Sequence, residues 1–477
     1  DPRLKLRPLG TCLLLRWRHV TMKTGRTLHM RRAAGAENVD ETARGDEGGG
    51  KNVLTRAITG PLLFVFILGD VLGAGIYALV GVIAGEVGGA VWVPLLVALV
   101  MALLTATSYA ELVTKYPRAG GAAVFAQRAY RKPLISFLVG FSMLAAGVTS
   151  AAGLALAFSG DYLKAFIDVP TVPAALVFLL LVGLLNARGI KESMRANVVM
   201  TVVEVTGLVL VVVLACIVLG RGDGTLSRVV EFDDSRSPAL AVLAAALLAY
   251  YSFVGFETSA NVAEEVKNVS KVYPRALFGA LLTAGAAYVL VVLAVSVVLP
   301  ADELAASSGP LLEVVSAADV GVPPRLFSLI ALVAVANGAL LTMIMASRLT
   351  YGMASEGLLP SVFARVLPQR RTPWVAIIAT TAVAMALCVT GSLSALAETV
   401  VLLLLFVFIS TNIAVLVLRR DAVQHKHFRT PIIFPILALG TCVALLIQQS
   451  AATWLRASLL LAVGVVLYAL SHRRSTK

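Results

Sequence analysis

An all-α, polytopic membrane protein is the fold class this sequence predicts, and three observations predict it. Of 477 residues, 58% are apolar before the 38 glycines are counted and only 14% are charged, against about a quarter charged in a soluble domain. The apolar residues fall into uninterrupted runs of about 20, the length a helix needs to cross a ~30 Å hydrocarbon layer. A membrane barrel would instead show alternating strands of about ten residues. Third, 34 of the 40 Lys and Arg fall in segments that alternate sides if both termini are cytoplasmic; the six exceptions are Lys164, Arg221, Arg228, Arg236, Arg325 and Arg456. That bias sets the orientation and requires an even number of spans.

Taken in order, residues 1–53 are basic to about Arg32, then acidic and Gly-rich, and read as a disordered cytoplasmic tail. The CLLL run at 12–15 is too short for a secretory signal, and Met22 and Met30 are candidate starts within the tail. Twelve spans follow, near 61–85, 90–114, 134–160, 172–187, 197–219, 238–263, 276–299, 326–347, 373–391, 393–418, 431–449 and 451–470. They group as a first five-helix unit (54–220), a second (238–418), helices 11 and 12 (431–470) and a short cytoplasmic tail (471–477).

The net charge of +13 is explained by this topology and by anionic inner-leaflet lipid, so the partner implied is the bilayer, not nucleic acid. Cys216, Cys388 and Cys442 sit inside spans and Cys12 in the tail, with no disulfide or zinc spacing. His19, His29, His425, His427 and His472 all fall in cytoplasmic segments, and HKH at 425–427 reads as a solvated basic loop. No metal or cofactor is expected. Oligomeric state is left open.

With no phosphate-binding loop, cofactor motif or nucleophile constellation, the pattern points to passage across the membrane, not to an enzyme. Ionisable groups inside spans are few: Asp70, Glu111, Glu204, Glu257, Glu398 and, near an outer end, Arg456. Such groups are costly in hydrocarbon and default to functional hypotheses. The second pointer is glycine at mid-depth in corresponding spans, where unwound backbone can coordinate a solute. Span 1 carries Gly69, Gly73 and Gly75, and span 6 carries Gly255 with Glu257 two residues on. Span 1 starts inside and span 6 outside, so the two five-helix units would be inverted copies. Close packing of small residues is the alternative reading of the span 1 glycines.

Four segments together carry a resemblance: GDVLGAGIY in span 1, SYAELVTKYPRAGGAAVFAQRAY after span 2, FVGFETSANVAEEVKNVSKVYPRAL around span 6 and ASRLTYGMASEGLLPSVFARVLPQRRTPWVA after span 8. From about Leu54 to Ile413 the chain resembles the amino acid–polyamine–organocation permeases, nearest their cationic-amino-acid-transporter-like and general amino acid permease branches.

The resemblance implies a five-plus-five inverted-repeat transporter fold with helices 1 and 6 broken and the solute between them. The family's glycine motif falls on Gly73, Ala74 and Gly75, followed by Ile76; amides at a half-helix N-terminus would bind the solute carboxylate, as helix-end physics allows. Carbonyls near Val71, Phe253 and Val254 would meet the ammonium, with Tyr251 and Phe253 as aromatic walls and Gly255, at the break, also in the solute site. Glu257 matches a recurrent acidic position and is expected as a proton-responsive gate or pocket acid, a hydrogen-bonded structural carboxyl being the alternative. Some proton-coupled relatives carry a lysine where this chain has no Lys in span 5; Glu204 stands nearby, and a carboxyl there would shuttle a proton or coordinate sodium. Asp70 is expected to join a gate, pair with a base such as Arg348, or cap a broken helix; Glu264 and Glu265 are expected to pair with loop Lys and Arg in an inner gate.

The function expected is secondary active uptake of an amino acid, cationic or small and neutral, across the plasma membrane by alternating access. The coupling ion expected is a proton, sodium being the less favoured choice. An amino acid/amine exchanger without net ion coupling and a non-translocating sensor are the alternatives.

Overall fold

The computed structural model describes residues 58–118, 120–188, 190–233, 237–307, 309–367 and 372–475, and side chains within these except at 73–74, 190–196 and 472–475. The tail expected over 1–53, with Cys12, His19 and His29, lies outside the described residues.

Among the described residues the protein is helical throughout, with two isolated β-bridges and no strand. The principal helices are α1 (Gly60–Val87), α2 (Trp92–Lys115), α3 (Pro133–Phe158), α4 (Thr171–Arg188), α5 (Ile190–Arg221), α6 (Pro238–Tyr251), α7 (Val269–Val298), α8 (Pro324–Ser355), α9 (Trp374–Thr390), α10 (Leu393–Leu418), α11 (Ile433–Ile447) and α12 (Ala451–Ser475). Proline sits in the first turn of α1, α3, α6 and α8, where its fixed φ suits the helix and its missing N–H costs nothing. Ser392 starts α10 by accepting the Ala395 amide at 3.3 Å.

Ten segments among the described residues are long and apolar enough to span a membrane. α9 and α11, of 17 and 15 residues, fall short of that measure. α9 is held between Pro373 and Gly391, and α11 gives way to Gln448 and Gln449. α12 runs on to Ser475, past the expected end at 470, because nothing in ALSHRRS breaks a helix.

α1 and α3 are the most buried of the spans. α1 packs against α5, α6, α7 and α8, while α3 packs against α8 and α10; α11 and α12 lie outside α10. Large apolar side chains point outward on α4 (Leu181, Leu184), α5 (Val199, Val202) and α12 (Leu455, Leu459). A face of this kind suits lipid rather than water.

Span 6 breaks as expected and span 1 does not. After Tyr251 the backbone amides of 252–254 bond three residues back, and a 3₁₀ segment continues over Phe256–Glu265. α1, by contrast, is continuous from Gly60 to Val87, through Gly73, Ala74 and Gly75. The expected break in helix 1 is thus corrected: a continuous helix pairs its own amides, which an apolar surrounding favours. Its glycines serve close approach. A Cβ on Gly69 would collide with Thr201 of α5, and one on Gly75 with the backbone of Ser252 in the α6 turn.

Both ends of the α1–α6 pair are tied. Ile58 exchanges backbone bonds with Glu265 and Lys267 at 2.9 Å each. At the other end Gly88 bridges to Phe232, in a segment anchored by the Trp92 indole donating to the Val229 carbonyl at 2.8 Å.

The C-terminal end of α2 is clasped by the segment joining α10 to α11. Glu111, 2% exposed, accepts the Thr430 amide at 2.8 Å and pairs with Arg419 at 3.6 Å. Lys115 donates to the Leu418 carbonyl at 2.6 Å and Tyr116 to Asp421 at 2.5 Å. His425 is exposed, as expected of a solvated loop, and also meets the Thr114 carbonyl at 3.1 Å, while His427 is partly buried. Glu398 and Arg456 join α10 to α12: Thr453 donates to Glu398 at 2.7 Å, and Arg456 to the Ala395 carbonyl at 3.0 Å.

Candidate functional site

The turn that ends α6 owes its form to Gly255, whose φ of +125° disfavours any residue with a side chain. Its amide donates to the Glu257 carboxyl at 2.9 Å, so the acid two residues on closes the turn. Thr258 donates to the Gly255 carbonyl at 2.7 Å and lies against the Asp70 carboxyl of α1. Asp70 and Glu257, 5% and 2% exposed, therefore meet at one place although 187 residues separate them in sequence.

A crevice opens beside this pair, between α1, α3, the α6 turn, α8 and α10. Its lining includes Asp70, Tyr251, Val254, Gly255 and Glu257 from the expected set. It leaves only about 20 Å³ of free space, room for little more than a water molecule. With both ends of the α1–α6 pair tied, the arrangement is that of a closed site.

Other expected residues stand elsewhere. Val71 and Ile76 are buried in the packing of α1, and Phe253 lies edge-to-face with Tyr288 of α7 at 5.3 Å. Gly75 faces Ser252, away from the crevice lining. Side chains at Gly73 and Ala74 lie outside the described residues, and their backbone is helical. Glu204 is fully buried on α5, and neither carboxyl oxygen has a hydrogen-bond partner among the described residues. Only its main-chain carbonyl is engaged, by the Tyr77 hydroxyl at 3.0 Å. Asp70, expected to join a gate or pair with a base such as Arg348, is instead met by the Thr258 hydroxyl.

Several contributors carried no signal in the sequence. Tyr288 lies in an apolar run of α7, yet its hydroxyl reaches the carbonyls of Val71 at 2.5 Å and Ser252 at 2.9 Å, bridging α1 to the α6 turn. Ser150 of α3 meets the Tyr251 hydroxyl at 2.9 Å. Met143, Gly147, Thr342 and Met345 enter from α3 and α8. Thr258 alone was within reach of sequence reasoning, one residue after Glu257.

A family model described as amino acid permease matches residues 60–467. The chain belongs to the amino acid permease family. Among curated proteins, this permease is 26% identical to the methylthioribose transporter of Bacillus subtilis (strain 168), over 88% of its own length and 94% of the relative's. It is 25% identical to the branched-chain amino acid permease BcaP of the same organism, over 90% and 95%. It is 29% identical to the low-affinity putrescine importer PlaP of Escherichia coli (strain K12), over 59% and 63%. The resemblance to the amino acid–polyamine–organocation superfamily therefore holds. The permease is an integral, multi-pass membrane transporter of that superfamily, and not an enzyme.

Proposed function

We propose that this permease is a secondary active transporter that takes up an amino acid by proton symport, through alternating access about the contact between α1 and the α6 turn. The observation that carries the reading is the pair of buried carboxyls, Asp70 and Glu257, beside a small closed crevice at the break in α6. Carboxyls at such a place attract an ammonium group. A carboxyl held by hydrogen bonds rather than by a base can also gain or lose a proton without breaking an ion pair. Glu204, buried with neither a base nor a hydrogen-bond partner for its carboxyl among the described residues, is a second proton carrier. Relatives named for branched-chain amino acids and for putrescine support an amine-bearing solute.

In this reading all twelve helices cross the plasma membrane, with both termini cytoplasmic. α9 and α11, at about 1.5 Å per residue, cross a locally thinned layer. α1 and α6 run in opposite directions and belong to inverted five-helix units, with α11 and α12 appended. Opening at the Ile58 end and at the Gly88 end would alternate, each requiring the loss of a few backbone bonds.

The test is uptake of labelled alanine, leucine and arginine into proteoliposomes, with and without an inward proton gradient at fixed membrane potential. Gradient-stimulated accumulation of any of them is expected. Exchange against preloaded solute that ignores the gradient would leave a transporter and remove the proton. Binding with neither accumulation nor exchange would remove transport itself.

A further inference from the structure

The segment between α10 and α11, residues 419–430, is a loop closed at its neck. Arg419 donates to the Thr430 carbonyl, and Glu111 of α2 holds both ends at once, accepting the Thr430 amide at 2.8 Å and pairing with Arg419 at 3.6 Å. The flanks of the loop are pinned as well, Asp421 by the Tyr116 hydroxyl at 2.5 Å and the Phe428 amide by the Thr114 hydroxyl at 3.0 Å. A loop held at neck and flanks has little freedom left, so the groups it turns outward stand in a fixed relation.

Those groups are basic. Arg420, Lys426 and Arg429 are exposed, and none of their side chains has a hydrogen bond or ion pair among the described residues. Asp421 is the one acid of the loop, and it is engaged by Tyr116, whose ring carries the Arg128 guanidinium at 4.5 Å. Exposed apolar side chains adjoin the cations on both sides. Ile413 and Val417 of α10 precede Arg420 by seven and three residues, the spacing of one helix face. Ile432, Ile433, Ile436 and Leu437 follow Arg429, each about half exposed.

We propose that this corner of the protein binds one anionic phospholipid, with its headgroup phosphate held by Arg420, Lys426 and Arg429 and its acyl chains laid along the exposed faces of α10 and α11. A guanidinium matches two phosphate oxygens at once. The chains need apolar surface that begins where the cations end, and α10 and α11 supply it. A soluble phosphate would use the cations and leave that surface bare. A zwitterionic lipid would bring an ammonium to a patch whose one acid is already engaged. Because the loop is fixed before binding, less ordering cost falls on the complex, which separates this corner from the diffuse attraction of any basic segment for an anionic leaflet. The inference is independent of the solute and of the coupling ion. Since the loop is clasped to α2, a lipid seated on it would brace α2, α10 and α11 together and raise thermal stability.

The test is thermal unfolding of the purified, full-length protein in detergent with added phosphatidylglycerol, phosphatidylcholine of the same chains, or glycerol 3-phosphate. Phosphatidylglycerol is expected to stabilise at concentrations about tenfold below phosphatidylcholine, each cation near the headgroup contributing several-fold, and glycerol 3-phosphate is expected to have no effect. Equal action of the two lipids would overturn the proposal, and stabilisation by glycerol 3-phosphate matching that of the lipid would make this a site for soluble anions instead. Arg420→Gln, Lys426→Gln and Arg429→Gln combined should reduce phosphatidylglycerol to the level of phosphatidylcholine. Lys271→Gln, Arg275→Gln and Arg365→Gln combined, which remove three exposed bases from other segments, should not. Equal loss in the two variants would mean diffuse attraction and overturn the site. Should the loop variant fail to fold, crosslinking of the wild type by phosphatidylglycerol with a photoreactive acyl chain decides: label concentrated on 413–417 and 432–437 is expected, and label spread evenly over α4, α5 and α12 would overturn the proposal.

Discussion

The α-carbon of Gly255 lies so close to the main chain of Asp70 that a Cβ placed on it would come within 2.9 Å of the Asp70 carbonyl oxygen. Gly75 stands in the same relation to Ser252, with α1 now the helix that lacks the side chain. Two glycines thus let α1 and the α6 turn meet backbone to backbone, and that contact brings Asp70 alongside Glu257.

Gly255→Ala should be damaging on two counts. The positive φ alone costs on the order of 1–3 kcal/mol for a residue with a side chain, and the added methyl meets Asp70. A lower melting temperature of the purified protein and loss of most uptake are expected. An unchanged melting curve would mean that the turn relaxes freely and that its geometry is not what holds the site.

Tyr288→Phe removes a hydroxyl from between two buried carbonyls, Val71 and Ser252, while keeping the ring packed on Phe253. Leaving such acceptors without their donor typically costs about 1–3 kcal/mol. The variant should melt earlier and transport more slowly. Wild-type stability together with wild-type uptake would show that the bridge between α1 and the α6 turn is dispensable.

Glu257→Gln keeps an oxygen able to accept the Gly255 amide, so the turn should survive. What changes is the capacity to carry a proton. Solute binding is expected to weaken, since one of the two carboxyls loses its charge, but less than stimulation of uptake by a proton gradient, which disappears. Persistent stimulation would move the role to another carboxyl, and Glu204→Gln is the next variant to measure.

Glu111→Ala should be the most destabilising change at the clasped end of α2. It strands Arg419 and the Thr430 amide together, and removing one partner of a buried ion pair costs roughly 3–5 kcal/mol; with Arg419 17% exposed the low end is expected. Glu111→Gln, which can still accept the amide, should cost less. Thermal unfolding of both variants checks the order, and the reverse order would mean that the retained hydrogen bond contributes nothing and that a neutral amide beside Arg419 is worse than no side chain.

Much of the architecture was legible because the signals that specify a membrane helix are local. The run Leu393–Leu418 was delimited to the residue by its own apolar stretch and by the charges and glycine beside it. The stop at Tyr251 followed from Gly255, and the acid that closes the turn lay two positions further on. Span 1 looked equally breakable by its glycines, yet remained a helix. Glycine lowers the cost of a break and of a close contact alike, and only the neighbour decides which occurs; here the neighbour is the backbone of Ser252.

The sequence by itself determined that the chain is helical and membrane-embedded and which few acids are buried, since each of these depends on composition within one span. Tertiary structure alone decided that Asp70 faces Glu257 while Glu204 lies off the crevice, that Glu111 answers Arg419 some 300 residues away, and that α3, α8 and α10 complete the crevice lining. In a helix that is apolar all round, periodicity does not mark the inward face. Which side chains line a cavity is then set by how neighbouring helices pack.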